Sequence, residues 1–124
     1  MEINSNNLKT NTMKAILIDS VNKEVKYVEL DKHSLLKEWY RVIGCNLVCV
    51  AQYLDDKHSI IVDDEGAING ISFGFFTLDT RQHLFGNALV VATDEDGNSV
   101  DVTMTIEEFD ELCPIVWFNT ITNN

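Results

Sequence analysis

The chain has 124 residues, 45% of them hydrophobic and 23% charged, which fits one globular domain able to bury a core without staples. Nine basic residues against twenty acidic ones give a net charge of −11, which repels nucleic-acid backbones and anionic membranes and argues against non-specific binding to either. No apolar run approaches the roughly 18 residues that a membrane-spanning helix needs, and the Asn-rich start lacks the apolar stretch of a signal peptide, so the chain is expected in the cytoplasm.

Residues 1–12 carry no periodicity and read as a flexible leader, with a single domain over 13–124. Lys14 to Ile18 reads as a strand, Asp19 to Lys23 as a turn, and Glu24 to Leu30 as a second strand in hairpin relation to the first. From Ser34 to Ile43 the apolar positions Leu35, Leu36, Trp39, Val42 and Ile43 recur at helical spacing, and Gly44 stands where a left-handed cap ends a helix. Leu47 to Tyr53 and His58 to Val62 read as strands around the turn Asp55-Asp56-Lys57. Asp63 to Gly66 breaks the second of these, and Ala67 to Thr80 has no clear assignment. Ala88 to Thr93 is a further strand, and the turn Asp96-Gly97-Asn98 leads to a short one at Val100 to Thr103. Thr105 to Glu108 has capping-box spacing, and Ile106, Phe109 and Leu112 share one face of the short helix it opens. Pro114 stops that helix ahead of the apolar tail Ile115 to Phe118. The class is α+β, a mainly antiparallel sheet of about five or six strands with two short helices.

Three strands do not alternate. Ala15 to Ile18, Leu47 to Ala51 and Ala88 to Ala92 are apolar at consecutive positions, so both faces of the sheet should be dry. Two short helices cover one face, which leaves the other to the Phe-rich stretch, the C-terminal tail or another copy of the chain. A homo-oligomer is expected on this ground, against the alternative of a small fold that covers itself. Cys45, Cys49 and Cys113 cannot all pair and read as free, small core residues, with Cys45 and Cys49 on the same side of a strand.

No phosphate loop, dinucleotide fingerprint, nucleophile elbow or zinc spacing occurs, and His33, His58 and His83 are scattered beside polar residues as surface or loop histidines are. An enzyme is therefore not expected, nor is a cofactor. Asp94 to Asn98 resembles a calcium loop, but its glycine stands fourth rather than sixth and Thr105 holds the twelfth position, so a solvated hairpin turn explains it better and no metal is expected. The segment Phe73 to Asn87 is richer. It holds four of the six phenylalanines, an arginine, a histidine and two glycines, a set suited to a base-and-phosphate ligand. Phe75, Phe76 or Phe85 would stack a base, Arg81 would grip phosphate in its planar fork, helped by Arg41 from a neighbouring copy, and Asn87 and His83 would recognise polar edges. The alternative reading keeps the phenylalanines in the core and Arg81 as a surface charge.

Met13 to Asp19, Ile43-Gly44-Cys45, Val62 to Gly66, Gly86 to Val91 and Thr93-Asp94 together resemble a small domain widespread in phages, prophages and mobile elements. In size and layout the chain is similar to the first type of Thoeris anti-defence proteins, over about 80 residues from Met13 to Asp94. That resemblance implies an oligomeric, non-enzymatic sponge that binds and sequesters the cyclic ADP-ribose signal of TIR-domain immune enzymes, with pockets near subunit contacts. The partners it implies are a small cyclic nucleotide and the chain itself, without membrane or direct nucleic-acid binding. A second reading, from charge alone, is an acidic interaction protein that mimics nucleic acid and blocks a host DNA- or RNA-binding factor.

Overall fold

A computed structural model describes residues 11–66, 68 and 70–119. Of the expected leader, residues 1–10 lie outside the described residues, and Thr12 already belongs to the first strand. Strands β1 (Thr12–Asp19) and β2 (Glu24–Asp31) form the first expected hairpin, with Thr12 opposite Asp31 and Asp19 opposite Glu24. The Asp19 carboxylate closes the turn by accepting from the Val21 and Asn22 amides. A 3-10 turn at Lys32–Ser34 leads into helix α1 (Leu35–Ile43), which Gly44 ends at φ 84°, its N–H donating to the Tyr40 carbonyl. Strands β3 (Val48–Tyr53) and β4 (His58–Asp63) form the second hairpin, with a register shift between Val50 and Gln52. Then come β5 (Phe73–Thr77), β6 (Leu84–Phe85), β7 (Ala88–Thr93), β8 (Ser99–Val100), helix α2 (Ile106–Leu112) and β9 (Ile115–Asn119). The capping box opens α2: Thr105 Oγ1 accepts from the Glu108 amide and the Glu108 carboxylate from the Thr105 amide.

The strands make two antiparallel sheets. The larger runs β2-β1-β7-β4-β3, with β8 on β7, and the smaller runs β6-β5-β9. The smaller sheet was not foreseen. Its core strand β5 comes from the unassigned stretch, β9 is the apolar tail, and β6 is only two residues long. The short strand expected at Val100 to Thr103 stops at Val100, and the Val102 amide beyond it donates to the Lys14 carbonyl. No helix among the described residues is long and apolar enough to cross a membrane.

Consecutive apolar residues do face both ways, as their lack of alternation requires. Leu17, Leu30, Ile61 and Leu89 stand on one face under α1, packed with Leu35, Trp39, Val42 and Ile43. Ile16, Ile18, Ile60, Val62, Ala88 and Val90 stand on the other, against Phe75, Leu84 and Trp117 of the small sheet and Phe109 of α2. The chain thus forms three layers, with α1, the large sheet, and the small sheet beside α2. This corrects the ground given for a second copy: the Phe-rich stretch and the tail cover the second face from within the same chain.

Two further expectations are corrected. Cys45 lies before β3 and packs on the α1 side, whereas Cys49 packs on the opposite side, because the strand begins only at Val48. All three cysteines are free, as expected. His58 is not a surface residue. It is 3% exposed, its Nε2 accepts from the Thr103 amide, and its Nδ1 lies 3.1 Å from both oxygens of Asp55. Since Nε2 accepts, the ring proton sits on Nδ1 and points at Asp55.

Candidate functional site

Strand β5 sorts the candidate aromatics by the two-residue period of a strand. Phe75 is fully buried and meets Trp117 edge-on, at 6.3 Å between ring centroids. It offers no face to a ligand, so the stacking role expected of it is corrected to a core role. Phe76, its neighbour, stands on the outer side, 5.1 Å from the His83 ring. His83 lies 4.6 Å from Phe118 of β9, and Phe118 lies 5.3 Å from Phe85 of β6. The rings Phe76, His83, Phe118 and Phe85 therefore form a row across the outer face of the small sheet, each pair within the range of favourable aromatic contacts.

Gly74 makes the row possible. It pairs with Phe118 on one side and Phe85 on the other, and a β-carbon there would strike the Leu84 carbonyl oxygen. The missing side chain lets β6 close in and lets two phenyl rings meet above the strand.

Arg81 and His83 sit in the loop between β5 and β6. The Arg81 amide donates to the Thr77 carbonyl at 2.8 Å, and its backbone takes φ 59°, a left-handed conformation that non-glycine residues rarely adopt. Thr77 is fully buried beneath the loop, and its Oγ1 donates to Gln52 of β3 at 3.1 Å. That anchor holds the loop against the large sheet and leaves Arg81 and His83 exposed two residues apart.

A cleft of about 320 Å³ opens at one end of the row, with Gln82, His83 and Phe85 on one wall and Cys49, Asp63 and Asp64 on the other. Burial, then the hydrogen bond and charge of Asp64 and the charge of Asp63, push the Cys49 thiol up to about 11. It stays protonated at neutral pH and is a poor nucleophile. The Asp63 carboxylate accepts from the Glu65 amide and holds the turn that forms this wall. The cleft is therefore acidic on one side and aromatic on the other.

The remaining expected residues stand apart. Asn87 does not line the cleft, and its side-chain oxygen accepts from the Ser20 amide at 2.8 Å, while Ser20 Oγ donates to the Gly86 carbonyl. Asn87 thereby ties the first hairpin to the β6–β7 turn, and pairing with an adenine edge would break that bond. Arg41 lies on α1, beyond the opposite face of the large sheet, and is bound to Glu38 at 2.7 Å. Phe76, His83 and Phe85 are the expected residues that the fold gathers, and Arg81 stands exposed on the same loop as His83 without lining the cleft. Phe118, Gln82, Asp63 and Asp64 were missed. Only the β5–β9 pairing places Phe118 here, and no local pattern announces a pairing over that distance in the chain.

A family model described as a domain of unknown function (DUF3846) matches residues 13–113, and the chain belongs to that family. No curated protein and no solved structure matches the chain.

Proposed function

We propose that this DUF3846 protein captures a small cyclic nucleotide signal of the cyclic ADP-ribose type and holds it without turnover, in the manner of the Thoeris anti-defence proteins it resembles. The observation that carries this reading is the row Phe76, His83, Phe118 and Phe85 on the outer face of the small sheet, half-buried apart from the exposed His83, beside an acidic cleft. A base stacked on one of these rings gains about 1–3 kcal/mol. The hydrogen-bond donors of a purine edge suit the carboxylates of Asp63 and Asp64, and Gln82 can both donate and accept. Phosphates would face away from that wall, toward His83 and the loop that carries the exposed Arg81. This orientation reconciles an anionic ligand with a chain of net charge −11, because only the base meets the acidic wall. The thiol nearest the cleft is held protonated, which suits binding without a covalent step.

Native mass spectrometry of the full chain mixed with each cyclic isomer of ADP-ribose and with cyclic dinucleotides tests the reading. An adduct of one ligand mass, released unchanged on denaturation, supports it. Absence of an adduct with every candidate, or release of a hydrolysed product, overturns it.

A further inference from the structure

A second hollow lies apart from the aromatic cleft. A groove of about 600 Å³ runs between α2 and the β3–β4 turn, lined by Asp55, His58, Met104, Glu108, Glu111 and Leu112. It shares no residue with the cleft. Its chemistry is split: three carboxylates stand on the rim, and Met104 and Leu112 form an apolar floor, with Leu112 left 45% exposed. Carboxylates thus flank an aliphatic side chain that stays nearly half open to water.

The walls are held in place. His58 joins them, its Nδ1 directed at Asp55 on one side and its Nε2 accepting from the Thr103 amide on the other. Asp55 also accepts from the Lys57 and His58 amides, and Glu108 from the Thr105 amide. Partners binding here would meet carboxylates already positioned, which lowers the entropic cost of association. The acidic strip continues past the groove, where Asp56, Asp94, Glu95 and Asp96 line a neighbouring hollow with Lys57.

We propose that the groove between α2 and the β3–β4 turn is a docking surface for a cationic amphipathic segment of a protein partner. Lysine or arginine side chains of the segment meet Asp55, Glu108 and Glu111, and an apolar side chain covers Leu112 and Met104. Charge complementarity sets the sign of the partner, and the apolar floor distinguishes a protein segment from a simple polyamine. The proposal stands apart from nucleotide capture, since neither site uses the other's residues.

Fluorescence anisotropy of two labelled peptides against the full chain tests it. One peptide places lysines and leucines on opposite faces of a helix, and the other carries the same charge without leucine. The paired substitution Glu108→Gln and Glu111→Gln, which keeps a capping residue at 108, should weaken the amphipathic peptide by about five- to tenfold. Glu24→Gln with Glu29→Gln removes the same charge from exposed β2 and should change binding by less than about twofold. Leu112→Ser should weaken the amphipathic peptide alone. Equal losses from both charge pairs would reduce the effect to diffuse attraction and overturn the proposal. So would indifference to Leu112→Ser, or no preference for the amphipathic peptide.

Discussion

Phe75 and Phe76 are adjacent and identical in chemistry, yet the fold sets them to opposite tasks. Phe75→Ala removes a ring that is fully buried between the large sheet and Trp117. Such truncations cost about 3–5 kcal/mol through lost transfer energy and the cavity left behind. For a domain of this length each kcal/mol moves the melting temperature by about 4 °C, so a fall of about 12–20 °C is expected. A domain of this length has a total stability of only about 6–15 kcal/mol, so the variant loses a large fraction of it. Phe76→Ala removes a half-buried ring whose main neighbour is His83. It should cost about 1 kcal/mol, or about 4 °C. Differential scanning calorimetry reads both, and near-ultraviolet circular dichroism should report the changed surroundings of Trp117 in Phe75→Ala only. Equal losses from the two variants, or a larger one from Phe76→Ala, would refute the division of β5 into a core side and an outer side.

Three further outcomes follow from contacts of the same kind. Gly74→Ala drives a β-carbon into the Leu84 carbonyl, so β6 must separate from β5, and limited proteolysis should then cut within 78–86 well before the rest of the chain. Cys113 is fully buried, and burial, with the charge of Asp79 adding to it, pushes its thiol up to about 11. A thiol reagent at mildly alkaline pH should therefore leave Cys113 unmodified until the protein is unfolded, when three thiols react. Burial alone would raise the Asp19 carboxyl, but hydrogen bonds from Asn22 and Val21 and the charge of Lys26 outweigh it and hold the group below its usual value. A depressed carboxyl contributes stability above its unfolded pKa and loses it as the pH falls through the folded one. Thermal melts taken from pH 5 downward should thus fall less steeply for Asp19→Asn than for the unaltered chain.

The first hairpin, α1, the second hairpin, β7 and α2 were all legible, because each is announced locally. Asp19 closes one turn, Gly44 ends a helix at φ 84°, and Thr105 with Glu108 starts another. The small sheet was not legible. Its pairing of Phe75 with Trp117 joins segments far apart in the chain, and two of its strands lie in stretches whose apolar residues show neither a two-residue nor a helical period. For the same reason the segment Phe73 to Asn87 could be singled out for its composition while its members could not be sorted. Phe75 went inward, Phe76, His83 and Phe85 outward, and Asn87 was taken up by Ser20. The need for a second copy came from counting apolar strand residues against two helices. That count left the second face to the Phe-rich stretch, the tail or another copy, and the first two cover it.

The claim that the outer aromatic row receives a base is tested most directly by calorimetric titration of the unaltered chain and of the Phe76→Ala, His83→Ala double variant with each cyclic isomer of ADP-ribose. One isomer should bind the unaltered chain in a saturable titration. The folded double variant should bind it at least about fivefold more weakly, as the loss of one stacked base requires. No heat with any isomer, or equal affinity for the two proteins, would contradict the account.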